Sequence, residues 1–233
     1  MAEASLCPAN KIEAKSAVQQ TLSIPVEFVG VGLHSGHGVR MTVRPAETDH
    51  GIRFRRTDLS GDAVVPALWH AVEPSRLCTL IANDAGAHVS TIEHVMAALA
   101  GCGIQNALVE IDGPEVPILD GSAAPFVRAF LAAGMVEQDE PVRAIRVLRP
   151  VEVRDGDAVA RLEPSESLHI AFEIDFADRA IGRQEKTLNM ANGAFVRELS
   201  DSRTFCRKAD VDHMRANGLA LGGTFENAVV VAG

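Results

Sequence analysis

The segment from Ser90 to Gly103 constrains the fold more than any other part of the sequence, because it predicts a short helix with both ends marked. Ser90 can cap the N-terminus, and Glu93 occupies the position of the acid in a capping box. Gly101 and Gly103 indicate the C-terminal end. The sequence therefore predicts one helix and its approximate length without reference to the rest of the chain.

The two sides of this predicted helix differ in character. Glu93 and His94 lie opposite the apolar residues, beside the small Ala97 and Ala98. The apolar stripe has helical spacing and consists of Ile92, Val95, Met96 and Leu99. A carboxylate that could act as a general base and an imidazole that could bind a metal thus project from the same helical turn. The same pair is also compatible with a plain capping acid next to an ordinary histidine.

A metal site on this helix needs ligands from distant parts of the chain. An H-E-x-x-H motif would place a second histidine four residues from His94, but Ser90 and Ala98 occupy those positions. The cysteines are widely spaced, form no C-x-x-C pair, and are Cys7, Cys78, Cys102 and Cys206. Reduced thiols in a cytoplasmic protein are the simplest interpretation of this spacing.

Composition limits the partners and the kind of core. The formal net charge of −9 argues against nucleic acid or an anionic membrane surface as the main partner. Hydrophobic residues make up 47% of the 233 residues, with no Tyr and one Trp, which predicts a mainly aliphatic core. No apolar run approaches the length of a membrane span, so we expect no stable membrane insertion. Met1 to Gln20 lacks the apolar region of a secretory signal, and we interpret residues 1–20 as a flexible tail.

Each half of the chain offers strands followed by helices. The first predicted strand is Thr21 to Phe28, and the polar segment from Glu137 to Pro141 suits a domain boundary. Asp178 to Lys186 is polar and predicts a loop or insert. This order of elements predicts an α+β fold with two domains, at residues 21–140 and 141–233.

Five short motifs occur in order along the chain. They are Gly30-Val31-Gly32-Leu33-His34-Ser35-Gly36, Ser90-Thr91-Ile92-Glu93-His94, Ile118-Leu119-Asp120-Gly121-Ser122-Ala123-Ala124-Pro125-Phe126, Ser202-Arg203-Thr204-Phe205 and Leu221-Gly222-Gly223-Thr224. Together they resemble the bacterial UDP-3-O-acyl-N-acetylglucosamine deacetylases of lipid A synthesis, over roughly Thr21 to Val231. The resemblance implies two similar helix-on-sheet sandwich domains with a Zn²⁺ site between them. It also implies a small-molecule substrate, an acylated UDP-amino sugar, in the cytoplasm.

The resemblance assigns chemistry to three residues. His94 corresponds to a zinc ligand, and Glu93 to the general base that deprotonates the zinc-bound water. Thr204 corresponds to the threonine whose hydroxyl holds the attacked carbonyl and its oxyanion. Zinc brings the pKa of a bound water to about 7, and a nearby carboxylate can take its proton. We therefore expect Glu93, His94 and Thr204 to converge on one cleft between the domains.

Three further residues correspond to substrate contacts in the family. Phe205 matches an aromatic residue that touches the substrate, and Leu77 and Cys78 match the segment near the acyl-chain passage. The acyl chain is expected to lie against the second domain around Asp178 to Phe195, close to Leu77 and Cys78.

One part of the family pattern has no counterpart in this sequence. In the family a later segment carries a His-x-x-x-Asp motif with two more zinc ligands, a lysine, and another histidine that acts as an acid. None of the eight histidines of this chain fits that motif. We expect a C-terminally truncated member of the family. The alternatives are a non-catalytic relative that binds nucleotide-sugar or acyl chain, and a different metal-dependent hydrolase that uses another oxyanion or nucleophile.

The motif pattern yields a prediction about metal affinity. The 233-residue chain is expected to bind zinc weakly, because catalytic zinc normally has three protein ligands. A version extended through a His-x-x-x-Asp segment is expected to bind it stoichiometrically. Metal analysis after removal of all metal and reloading with zinc measures the difference. Stoichiometric zinc in the 233-residue chain would show that other residues, such as His34 or His213, complete the site.

Overall fold

A computed structural model describes residues 17–232 and shows mixed α and β structure, in agreement with the predicted α+β class. The helices of these residues are α1 (Glu93–Gly101), α2 (Ala124–Ala133), α3 (Ala194–Glu198) and α4 (Lys208–Ala216), with a short 3-10 helix at Trp69–Ala71. The strands of the first half are β1 (Val18–Leu22), β2 (Val26–Val31), β3 (Gly38–Pro45), β4 (Ile52–Arg56), β5 (Val64–Pro66), β6 (Val72–Glu73), β7 (Leu80–Ala82), β8 (His88–Val89), β9 (Ala107–Ile111) and β10 (Met135–Pro141). Those of the second half are β11 (Val151–Asp155), β12 (Ala158–Leu162), β13 (His169–Asp175), β14 (Arg183–Asn189), β15 (Phe205–Arg207) and β16 (Val229–Val231).

The first half is built on a five-stranded sheet in the order β2-β3-β9-β4-β5. Strand β9 lies in the middle, antiparallel to β3 and parallel to β4. Because side chains alternate along a strand, Ala107, Val109 and Ile111 all point to one face, and all three are fully buried. Val109 lies in register with Val43 on one side and Phe54 on the other. The sheet thus presents a continuous aliphatic face to the core.

Helices α1 and α2 complete this core. Val95 and Leu99 of α1 are buried in it, so the predicted apolar stripe is confirmed at its centre. Phe126 and Phe130 of α2 are fully buried and meet Phe28 of β2 edge to face, with ring centres 4.8 and 5.9 Å apart. Aromatic pairs in this arrangement stabilise a core beyond the area that they bury.

The predicted capping box at the start of α1 is wrong. The residue before the helix is Ile92, which already has helical backbone angles and makes no side-chain cap. The Ser90 hydroxyl donates instead to the carbonyl of Pro114, at 3.2 Å. The carboxylate of Glu93 is therefore available for a tertiary contact.

The end of α1 follows the predicted stop, although the two glycines have different roles. Gly103 has a positive φ of 74° and ends the helix. Gly101 is the last helical residue, and a side chain there would collide with the ring of Phe195. The glycine lets α3 of the second half approach the helix closely.

Two predictions at the edges of the first half are corrected by one strand pair. Strand β1 pairs antiparallel with β10, and Leu22 lies opposite Met135. The flexible tail predicted at residues 1–20 is therefore wrong for Val18 to Gln20, while residues 1–16 lie outside the described residues. The polar segment from Glu137 to Pro141 is strand rather than linker.

A buried amide holds this strand pair to the sheet. Asn106 is 1% exposed, and its side-chain nitrogen donates to Gln19 and to Gln138, both at 2.7 Å. Its side-chain oxygen accepts from the Gly51 backbone at 2.8 Å. Both polar atoms of the buried Asn106 side chain therefore have hydrogen-bond partners, as buried polar groups require.

The second half contains two antiparallel hairpins, β11–β12 and β13–β14, and one parallel pair, β15–β16. Part of the predicted loop from Asp178 to Lys186 is wrong, because β14 begins at Arg183. The predicted first strand from Thr21 to Phe28 is two strands, β1 and β2. Within residues 17–232, no helix combines the length and apolarity that crossing a bilayer requires.

The core of the first half yields a stability prediction. Phe126→Ala is expected to lower the free energy of unfolding by about 3–5 kcal/mol, because it removes a fully buried ring and leaves a cavity. Phe225→Ala is the matched control, since Phe225 is 77% exposed, and its effect should stay within about 0.5 kcal/mol. Urea denaturation followed by circular dichroism measures both. Equal losses would mean that Phe126 is not part of the cooperative core.

Candidate functional site

The first and last of the sequence motifs meet in space. The Leu221 backbone N–H donates to the carbonyl of His34 at 3.1 Å, and that of Gly222 donates to Leu33 at 3.0 Å. A side chain at position 222 would collide with the carbonyl of Gly32. The glycines of both motifs therefore let two loops from opposite halves of the chain lie backbone to backbone.

A buried carboxylate connects the first motif to helix α1. Glu115 is 3% exposed, and its two oxygens accept from the backbone N–H groups of His34 and Ser35, both at 2.8 Å. One of these oxygens also accepts from the Thr91 hydroxyl at 3.0 Å. Burial of a carboxylate is costly unless it is hydrogen-bonded, and three donors meet that requirement here. Sequence analysis missed this role, for which the only signal was an acid enclosed between Pro114 and Pro117.

Glu93 and His94 begin α1 immediately after this connection. One carboxylate oxygen of Glu93 accepts from the Thr79 backbone N–H at 3.0 Å, which ties Glu93 to the segment that carries Cys78. Burial lowers the pKa of His94 from its ordinary value, and the negative charges of Glu93 and Asp120 oppose that effect. His94 therefore favours the neutral form that can bind a metal.

The loop at Asp120 and Gly121 joins this helix to the second half of the chain. The Thr204 backbone N–H donates to the Gly121 carbonyl at 2.8 Å, and the Arg203 guanidinium donates to the Asp120 carbonyl at 2.8 Å. The negative charge of Asp120 also opposes the lowering of the pKa of His94. The hydrogen bonds of this loop thus bring the third and fourth motifs together.

A cavity of about 930 Å³ opens beside this junction. Leu77, Thr204 and Phe205 line it, whereas Glu93, His94 and Cys78 are not among its lining residues. Its remaining wall is both aromatic and charged, and includes His34, Arg76, Phe176, Arg207, Lys208, Asp210, Asp212 and Phe225. The space is large enough for a drug-sized molecule that combines apolar and anionic parts.

The residues around His94 provide an incomplete set of metal ligands. Among residues 17–232 there is no group of three or more His, Cys, Asp or Glu side chains arranged to hold a metal ion. Catalytic zinc in proteins normally has three protein ligands. These residues by themselves therefore do not fit a complete zinc centre, and the arrangement supplies one imidazole with two carboxylates nearby.

Gly121 yields a prediction about the junction. Its φ is 82°, and a side chain there would collide with the Asn227 carbonyl next to Thr204. Gly121→Ala is therefore expected to destabilise the protein and to displace Thr204, which directly precedes β15. Gly156→Ala is the matched control, because Gly156 also has a positive φ of 57° but faces open space.

The control isolates the backbone strain from the collision. Gly156→Ala should lower the free energy of unfolding by about 1–2 kcal/mol, the cost of a left-handed alanine. Gly121→Ala should lower it by clearly more, as measured by urea denaturation. A loss no larger than that of the control would argue against close packing at this junction.

Comparison with known proteins gives one consistent result. The family model described as UDP-3-O-acyl N-acetylglycosamine deacetylase matches residues 19–233. A UDP-3-O-acyl-N-acetylglucosamine deacetylase of Phenylobacterium zucineum is 52% identical over 92% of this chain and 74% of its own length. Those of Shewanella sp. strain W3-18-1 and Shewanella baltica strain OS155 are each 46% identical over 91% of this chain and 70% of theirs. The chain therefore belongs to the family of UDP-3-O-acyl-N-acetylglucosamine deacetylases.

Proposed function

We propose that this chain supplies part of the site that hydrolyses the N-acetyl group of UDP-3-O-acyl-N-acetylglucosamine in lipid A biosynthesis, a reaction that releases acetate and a free amine. Family membership over residues 19–233 supports this function. The observation that carries the assignment to this site is the loop at Asp120 and Gly121, where the Gly121 carbonyl accepts from Thr204 and the charge of Asp120 acts on His94.

The proposal assigns His94 as one ligand of a zinc ion. Zinc would supply Lewis-acid polarisation of the acetyl carbonyl and a water with a pKa near neutrality. The other ligands are proposed to come from a His-x-x-x-Asp segment, a pattern that this sequence does not contain.

Glu93 is proposed to hold and move the proton of the attacking water. The Thr79 backbone N–H fixes one oxygen of its carboxylate, which leaves the second oxygen free to accept a proton. A base positioned in this way contributes to proton transfer because its orientation is set before the reaction. The same group can return the proton to the leaving amine.

Thr204 is proposed to donate a hydrogen bond to the oxyanion of the tetrahedral intermediate. Its backbone N–H donates to the Gly121 carbonyl, and this hydrogen bond holds Thr204 in place at the cavity wall. Donors that are positioned before the reaction stabilise developing negative charge more effectively than water does.

The substrate is proposed to occupy the cavity between the halves. Leu77 and Phe205 offer apolar surface for the acyl chain, and Cys78 follows Leu77 directly. The proposed domain division is residues 21–140 and 141–233, each a helix layer on a sheet, with the reaction at their junction. The proposed setting is the cytoplasm.

Acetate release from UDP-3-O-acyl-N-acetylglucosamine tests this function. The assay uses the 233-residue chain and a chimera that extends it through a His-x-x-x-Asp segment. Glu93→Gln in the active form should lower kcat by about 10²–10⁴-fold, because the amide cannot take a proton but can still accept from Thr79. Glu137→Gln, an exposed residue on β10, is the matched control and should leave kcat unchanged.

The same assay also distinguishes the alternatives. A chimera that binds the substrate but releases no acetate would identify a non-catalytic binder. Unchanged acetate release by the Glu93→Gln variant would contradict the proposal that Glu93 takes the proton of the attacking water.

A further inference from the structure

Strained backbone is concentrated at the sequence motifs. Among residues 17–232, six residues other than glycine have a positive φ, between 53° and 62°. Asp49 and Asn192 tolerate these left-handed angles, because their short polar side chains can hydrogen-bond locally. The side chains of the other four disfavour such angles, and these residues are Leu77, Thr91, Leu119 and Ala220. Strain of this kind persists only where the surrounding structure holds it, and it is characteristic of functional sites.

All four strained residues lie at the candidate site. Thr91 and Leu119 belong to the second and third motifs, and Ala220 directly precedes the fifth. Leu77 lines the cavity. The strained positions therefore coincide with the segments that form the site.

Thr91 is the most unusual of the four, because a side chain branched at Cβ fits left-handed angles poorly. It is 1% exposed, and its hydroxyl donates to the buried Glu115 carboxylate at 3.0 Å. The preceding residue is held as well, since the Ser90 N–H donates to the Pro114 carbonyl at 2.9 Å and the Ser90 carbonyl accepts from the Val116 N–H at 3.1 Å. The segment around Glu115 thus holds both the approach to the turn and the turn itself.

The turn at Thr91 determines how α1 begins. Two residues later, the Glu93 carboxylate accepts from the Thr79 backbone N–H at 3.0 Å. Ile92, between them, donates its backbone N–H to the Thr79 carbonyl at 3.4 Å. No side chain caps α1, so the direction of its first turn depends on these contacts. A change of backbone direction at Thr91 would carry Glu93 away from Thr79.

We propose that Thr91 is a positioning residue for Glu93. Its hydroxyl, bound to Glu115, holds a strained left-handed turn that keeps the Glu93 carboxylate on the Thr79 N–H. A base whose orientation is set before the reaction needs no reorientation during it. The inference rests on the proposed function only in the part that Glu93 plays in catalysis, and Thr91 acts through Glu93.

Hydrogen exchange of the Thr79 amide tests the contact, measured residue by residue by NMR on the 233-residue chain. This readout requires neither zinc nor substrate nor turnover. The Ala87 amide is the internal reference, because it also donates to a side-chain oxygen at 3.0 Å, that of Asn83. Loss of overall stability accelerates exchange at both amides, whereas loss of positioning accelerates Thr79 alone. Glu93→Ala gives the exchange rate of Thr79 without its acceptor.

Three substitutions separate the hydroxyl from the shape of the side chain. Thr91→Val keeps the branched shape, and it should raise the exchange rate of Thr79 relative to that of Ala87 by about ten-fold, because the bond to a charged acceptor is lost. Thr91→Ser keeps the hydroxyl and should leave this ratio within about two-fold of the wild-type value. Thr91→Gly accepts left-handed angles without strain but lacks the hydroxyl. It should also raise the ratio, and it provides the test if Thr91→Val does not fold.

An unchanged ratio in Thr91→Val, or in Thr91→Gly where Thr91→Val does not fold, would overturn the proposal. An equal rise in Thr91→Ser would overturn it too, since rescue by the hydroxyl distinguishes positioning from packing. The result is independent of acetate release. If the assay of Glu93→Gln excludes Glu93 as the base, a selective rise at Thr79 would still show that Thr91 positions that side chain.

Discussion

The carboxylate of Glu115 is the interaction on which the site depends. It stands between two segments that are far apart in the sequence, the turn at His34 and Ser35 and the start of helix α1 at Thr91. A buried anion of this kind is tolerated only because three donors converge on it, and the loss of any one of them leaves charge without compensation. The position of Glu93 and His94 relative to the turn is therefore set by electrostatics as well as by the apolar core below.

Backbone groups join the two halves of the chain, in addition to the apolar packing of α3 against the first half. Leu221 and Gly222 donate to the first motif, and Thr204 donates to Gly121. Contacts of this type require that side chains be absent, which is why glycines occupy the close approaches at positions 121 and 222. Backbone hydrogen bonds also fix the distance between the two halves more narrowly than side-chain packing does, since they tolerate little change in length. A site divided between two halves benefits from that narrow tolerance.

The sequence predicted a helix within Ser90 to Gly103, where α1 lies, because periodicity and glycine punctuation are local signals. Its predictions were wrong where a contact with a distant part of the chain determines the structure. The pattern from Ser90 to Glu93 is compatible with a capping box, but Pro114 and Thr79 offer both side chains tertiary partners. Strand β10 carries mostly exposed polar residues and shows no alternation, so only its pairing with β1 identifies it. The family motifs identified the residues that cluster, whereas the clamp at Glu115 follows from three-dimensional contacts alone.

The pairing of β1 with β10 has a consequence for synthesis. Val18 lies opposite Pro141, and the Val142 backbone N–H donates to the carbonyl of Ala17. The outermost strand pair of the first half can therefore form only after the ribosome has released residues up to about position 142. Until then β1 lacks its strand partner β10, although the sheet around β9 can already assemble from residues 26 to 111. Strands β1 and β10 therefore pair late during synthesis. Their pairing joins the beginning of the first half to the start of the second half.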